Sequence, residues 1–210
     1  MLLSSSQRSF NETLVTELRD HPQWHRGRHR YGVWVLPIEC PQLLAYIDLV
    51  TRQLGDLIHP SRRQPHITLF VCGFEQPSRY YDDDFTTDQL ERQIAGLEAM
   101  DVTPCSLQIG AVDSFASAAL LTVTDPMGQL DRWRRVLARS CTEIRFTAYV
   151  PHLTLGLYRR RIGVDELRQR LAALSQVDAL TLPVSCLEYA TYSSIDQFGP
   201  LSCKKRIYWQ

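Results

Sequence analysis

The chain has no net charge: its 210 residues include 23 lysines and arginines against 23 aspartates and glutamates. No overall field therefore draws it to nucleic acid or to an anionic membrane, and any anionic ligand must be held by local charge. No apolar stretch is long enough to span a bilayer. The opening segment, Met1-Leu2-Leu3-Ser4-Ser5-Ser6-Gln7-Arg8, lacks the apolar core of a secretory signal. The six cysteines (Cys40, Cys72, Cys105, Cys141, Cys186 and Cys203) form no CxxC pair and show no metal-site spacing. They read as small buried hydrophobes in a reducing cytosol, not as a disulfide framework. No low-complexity tract or clean linker divides the chain. A composition of 44% hydrophobic and 22% charged residues suits one ordinary globular domain over residues 1–210.

Against these absences stand two near-identical segments, Pro65-His66-Ile67-Thr68-Leu69 and Pro151-His152-Leu153-Thr154-Leu155. Each lies in an apolar run with strand character. A strand sends residues i and i+2 to one face, so each segment shows a His and a Thr together and apolar residues behind. Two such strands side by side would gather two imidazoles and two hydroxyls around one cleft.

The surrounding pattern repeats as well. Tyr31–Leu36 reads as a strand closed by Pro37 and Pro41. Leu43, Ile47, Val50, Leu54 and Leu57 then mark an amphipathic helix that leads to the first motif strand, about His66–Cys72. Further on, Leu107–Phe115 and Ala119–Thr124 read as strands. Asp125-Pro126 opens a helix with Leu130, Trp133 and Leu137 on one face, and the second motif strand runs about His152–Tyr158. The order strand, helix, motif strand thus occurs twice, at about 31–73 and 119–158, which implies two pseudo-symmetric lobes. Outside the repeat, Gln89–Glu98 and Val164–Leu174 read as helices, and Leu182–Tyr192 and Lys204–Trp209 as closing strands. Ser9-Phe10-Asn11-Glu12 resembles a capping box starting a helix to about His21, closed by Pro22. The basic stretch His25–Arg30 reads as a solvated loop, and Asp82-Asp83-Asp84 as a loop ahead of a helix.

Histidine gives and takes protons near neutral pH. Opening a phosphodiester with water needs one proton removed from water and one delivered to the leaving oxygen, and two histidines can divide that work. Threonine hydroxyls on the same face can donate to the non-bridging oxygens. This scheme requires no metal or other cofactor. Only two histidines are placed for a zinc site that needs three or four ligands, while His21, His25, His29 and His59 read as loop residues without partners.

Pro-His-Ile-Thr-Leu and Pro-His-Leu-Thr-Leu-Gly resemble the paired HxT motifs of the two-histidine (2H) phosphoesterase superfamily, which includes proteins called RNA 2′,3′-cyclic phosphodiesterase and 2′-5′ RNA ligase. The resemblance implies an α+β, bilobal fold with antiparallel sheets around a central cleft. It implies catalysis by His66 and His152, the first usually the acid and the second the base, and phosphate contacts from Thr68 and Thr154. Tyr158 and Arg159 follow the second motif as candidate substrate contacts. Many bacterial members carry an arginine directly after that motif, where this chain has Leu157. The run Arg159-Arg160-Arg161 is either a grip on nucleic-acid backbone or a solvated turn, and Arg62 and Arg63 carry the same ambiguity. Tyr31, Trp34, Phe74, Tyr149, Tyr158 and Tyr192 are aromatics able to stack on a base. The expectation is a monomeric cytoplasmic enzyme acting on an RNA 3′ end or a small cyclic nucleotide, without membrane contact. Ligation or cleavage of 2′-5′ linkages, or RNA binding without turnover, are the alternatives.

Overall fold

The computed structural model describes residues 2–5, 10–101, 104–145, 147–174 and 180–209. Its elements are α1 (Pro22–His25), β1 (Arg30–Pro37), α2 (Pro41–Gln53), β2 (His66–Glu75), β3 (Asp84–Phe85), α3 (Thr87–Glu98), β4 (Cys105–Ser114) and β5 (Ala118–Thr124), followed by α4 (Gln129–Leu137), β6 (His152–Leu157), α5 (Val164–Leu174), β7 (Leu180–Val184), β8 (Cys186–Ser193) and β9 (Ser202–Tyr208). The strands lie in the order β7-β4-β5-β6-β2-β1-β8-β9, with β3 beside β2. Every pairing is antiparallel except β2 with β3.

The repeat seen in the sequence is the architecture. One lobe is β2-β1-β8-β9 and the other β6-β5-β4-β7. They meet where the two motif strands pair, through Ile67 and Leu153. The helices cross over: α2 packs against β6, and α4 against β2. Each motif strand is therefore clamped by the helix of the other unit.

Burial follows the alternation of the strands. Trp34, Leu36, Ile67, Leu69, Leu121 and Leu153 face a core completed by Leu43, Ile47 and Val50 of α2 and by Leu130, Trp133 and Leu137 of α4. The opposite face of β1 holds a second cluster, Tyr31, Val33 and Val35 with Phe74 and Ala190. That double burial explains why β1 is apolar without a break. Gly73 adopts a φ of 116° and passes close to the Asp83 carbonyl, so β2 can bend there only without a side chain. No helix among the described residues is long and apolar enough to cross a membrane.

Four expectations need correction. The predicted helix ending near His21 does not form: Phe10–Asp20 lies outside any helix, and Pro22 opens α1 instead of closing one. Thr13, Leu14 and Thr16 donate backbone hydrogen bonds to Ile162, Ala116 and Tyr158, so pairing with the second lobe overrides a local helical preference. The Ser9 end of the proposed capping box lies outside the described residues. The basic stretch is not simply solvated, because His25 and Arg28 are buried. Arg28 Nη1 lies 2.6 Å from both Asp83 Oδ1 and Asp84 Oδ1, which draws those two members of the acidic run inward and leaves Asp82 exposed. The single closing strand Leu182–Tyr192 is two strands, broken at Ser185. β7 pairs with β4 and β8 with β1, on opposite lobes, and Pro183 is tolerated because β7 is a sheet edge. Finally, the six cysteines are free but not all buried, for Cys203 is exposed.

Candidate active site

The antiparallel pairing of Ile67 with Leu153 sets the register of the site. It brings His66 beside Thr154 and Thr68 beside His152. Ile67 and Leu153 are fully buried, so the two histidines and two threonines share the opposite face of the junction. The arrangement has an approximate two-fold symmetry, with one His–Thr pair from each lobe.

Both rings are held alike. His66 Nδ1 lies 2.8 Å from the Gln64 carbonyl, and His152 Nδ1 lies 2.7 Å from the Val150 carbonyl. A carbonyl only accepts, so Nδ1 carries a proton in each ring and Nε2 is left for a ligand. Burial pushes the His66 imidazole down to about 4, against the raising effect of the Gln64 carbonyl, with Arg63 and His152 depressing it further. Burial also lowers His152, against its Val150 bond and assisted by Arg145. Both rings are therefore held toward the neutral form at pH 7.

From the junction β2 and β6 diverge, and the gap on one side is a crevice of about 510 Å³. Its walls are Arg63–His66 with Thr68, and Thr154–Leu157; its floor is the α2 face bearing Leu44, Ile47, Asp48 and Thr51. His59 and Phe198 line it as well, their ring centroids 5.1 Å apart. The edge of β2 on the other side is covered by the segment between α4 and β6. Glu143 Oε1 accepts from Val71 N–H, Tyr149 donates to the Thr68 carbonyl, and Arg134 of α4 donates to the Leu69 carbonyl. Burial tends to raise the Glu143 carboxyl, but Arg134 and Arg145 more than offset this and hold it below its usual value. A second hollow, about 240 Å³ beside Glu75 and Tyr189, contains no motif residue.

The β2–β6 register brings His66, Thr68, His152 and Thr154 together; His66, Thr68 and Thr154 line the crevice, while His152 lies beside Thr68 outside its lining. It removes Tyr158, which is fully buried with its hydroxyl 2.7 Å from Ser114 Oγ. Tyr158 follows the last residue of β6, and its backbone pairs with Ile58, which turns the ring into the core. Arg159 is exposed and does not line the crevice. Arg160 and Arg161 are paired with Asp56 and Glu12. Of the aromatics considered for stacking, Tyr31, Trp34, Phe74 and Tyr158 are buried. Phe198, which sequence reasoning passed over, is the aromatic side chain that enters the crevice wall. His25 and His59 have partners after all, Asp20 and the Thr16 carbonyl. No sequence signal marked Phe198 or His59 as cleft residues, because long-range folding brings them there, whereas Arg63, one of the two arginines left open just ahead of the first motif, does line the crevice.

Two HxT strands crossing between two antiparallel lobes define a two-histidine phosphoesterase architecture. The sequence profile of the 2′-5′ RNA ligase superfamily matches residues 42–191, and the chain belongs to that superfamily. Solved structures with this fold include E. coli LigT complexed with 3′-AMP, with a TM-score of 0.55 and 10% identity over 87% of this chain and 99% of that one. A solved phosphoesterase superposes with a TM-score of 0.56 and 12% identity over 87% and 99%. TT0787 of Thermus thermophilus gives a TM-score of 0.52 and 10% identity over 80% and 99%. No curated protein matches the chain by sequence.

Proposed function

We propose that the protein hydrolyses 2′,3′-cyclic phosphates, at RNA ends or on small nucleotides, by acid–base catalysis between His66 and His152. The observation that carries this reading is the matched tethering of the two rings, each by Nδ1 to the carbonyl two residues back. A phosphate seated between them meets one imidazole Nε2 on each side, with Thr68 and Thr154 interleaved. One neutral imidazole takes a proton from water as its oxygen forms the new P–O bond. The other, protonated, gives its proton to the ribose oxygen as that P–O bond breaks. The threonine hydroxyls donate to the non-bridging oxygens as charge builds there. The bound phosphate anion raises the affinity of the neighbouring imidazoles for a proton, so the acid is charged in the complex although both rings are held toward the neutral form without it. LigT, with the same fold, has been solved with 3′-AMP and with ATP, which supports a nucleotide in this crevice.

With a ribonucleoside 5′-hydroxyl in place of water as the attacking group, the same imidazoles would take its proton as the new P–O bond forms and protonate the departing 3′-oxygen, joining ends through a 2′-5′ linkage. A panel of 2′,3′-cyclic nucleotides, cyclic-phosphate RNA ends and 2′-5′ oligomers, with product position read by phosphorus NMR, separates the reactions. Hydrolysis of the cyclic phosphates to a monoester is expected. Turnover confined to 2′-5′ oligomers would overturn the proposal.

A further inference from the structure

Among the described residues, the other arginines that are buried or half-buried lie within ion-pair distance of a carboxylate: Arg28, Arg134, Arg145, Arg160, Arg170 and Arg206. Arg63 does not. Its Nε donates to the Gly199 carbonyl at 3.2 Å, and its guanidinium carbon lies 4.1 Å from the centre of the Tyr192 ring. Its Nη2 is buried with no hydrogen-bond partner. Burial lowers its proton affinity, opposed by a hydrogen bond and charge interaction with Tyr192 and by the more distant charge of Asp196, yet a guanidinium stays charged in a protein. Enclosing a cation with no carboxylate in contact is costly, and a fold retains such a group where a ligand supplies the missing charge.

The position supports a ligand more than a packing role. Arg63 lines the crevice three residues before His66, in the wall that faces Thr154. The backbone that carries it is fixed, because Arg63 N–H donates to Ser61 Oγ. Its neighbour Arg62 provides the contrast, being exposed and already neutralised by Asp196 at 2.6 Å. We propose that Arg63 is the counter-charge for the substrate phosphate, forming charge-assisted hydrogen bonds to its non-bridging oxygens beside His66. A planar fork suits that task because it can meet two oxygens at once. This inference rests on the reading of the crevice as a phosphate-ester site and adds the cation that the two HxT motifs do not contain.

The test compares wild type, Arg63→Gln, Arg63→Lys and Arg62→Ala by thermal melting, with inorganic phosphate titrated against chloride at matched ionic strength. A ligand that binds only the folded state raises the melting temperature. Phosphate should stabilise wild type and Arg62→Ala, leave Arg63→Gln unchanged and stabilise Arg63→Lys partially. In phosphate-free buffer Arg63→Gln should melt no lower than wild type, since a buried charge with no carboxylate in contact has been removed. Its kcat/KM on 2′,3′-cyclic AMP should fall by about tenfold to a hundredfold, as for loss of a hydrogen bond to a charged group. An equal phosphate response in wild type and Arg63→Gln, no response in wild type, or large destabilisation of Arg63→Gln without phosphate would each overturn the assignment. If the Gln variant does not fold, an unreduced phosphate response in Arg63→Lys together with full turnover does the same. The two proposals fail separately. An Arg63-dependent phosphate response without turnover of any cyclic phosphate would remove the hydrolase reading alone. Turnover with an Arg63-independent phosphate response would remove Arg63 alone.

Discussion

Replacing the buried Arg28 by Met should cost more stability than replacing any of the exposed charged side chains. The guanidinium is 6% exposed and contacts Asp84, whose side chain is 1% exposed, at 2.6 Å. It also reaches Asp83, donates to the carbonyls of Trp24 and His25, and lies 3.9 Å over the Phe74 ring. Removing it leaves the Asp84 carboxylate with the Tyr80 and Tyr81 backbone donors alone among the described residues. Breaking a buried pair from one side costs about 3–5 kcal/mol, a large share of a total of roughly 5–15 kcal/mol. The melting temperature should drop by on the order of 10 °C. The pH dependence gives the mechanism. Burial raises the Asp84 carboxyl, but Arg28 and the two backbone donors outweigh it, so its value in the native protein is depressed. In wild type its contribution is present above the ordinary carboxylate range and lost as pH falls through the depressed value. In Arg28→Met burial dominates and the value rises, so the deficit should be full at pH 7 and narrow as pH falls toward about 5. Urea denaturation at both pH values measures this, and Arg28→Met/Asp84→Asn should recover part of the loss at pH 7. A deficit below about 1 kcal/mol, or one equal at both pH values, would refute the reasoning.

Three further outcomes follow from the site. Because both imidazoles are depressed in the free protein, the singly protonated pair is most populated on the acid side. The kcat/KM profile for a cyclic nucleotide should therefore peak below about pH 6.5, and kcat, which reports the phosphate complex, at higher pH. A kcat/KM optimum above neutrality would contradict the burial-driven shifts. Thr68→Ala and Thr154→Ala should each reduce turnover while leaving the melting temperature nearly unchanged, and Thr→Ser should be milder than Thr→Ala in both positions. Equal impairment by Ser and Ala would point to methyl packing instead of the hydroxyl. Turnover by wild type should persist after EDTA treatment, whereas loss restored by zinc or manganese would replace the two-histidine scheme with a metal site.

Much of the architecture was legible because it is written in local periodicity. The Val- and aromatic-rich run Tyr31–Leu36 and the i, i+3, i+4 spacing of Leu43, Ile47 and Val50 predict elements that form as β1 and α2. The repeated strand–helix–motif order predicts the two lobes, and the HxT spacing alone places His66 and Thr68 on one face. What stayed hidden depends on contacts distant in sequence. Leu14 and Leu18 carry a helical spacing but are exposed, since hydrogen bonds to the second lobe hold that segment extended. Arg28 and Asp84 carry no local sign of burial; each looks solvated until the other is opposite. Tyr158 continues the motif strand in sequence, yet the strand ends at Leu157 and the ring turns inward. Phe198 reaches the crevice through the chain between β8 and β9, which no spacing rule could have joined to the motif strands.

The most direct measurement is single-turnover hydrolysis of 2′,3′-cyclic AMP by wild type, His66→Ala, His152→Ala and the double variant, each checked for folding by thermal melting. Each single variant should lose roughly a hundredfold or more, and the double should be little worse than the slower single, because the pair acts as one unit. A folded single variant that retains full activity would contradict the account.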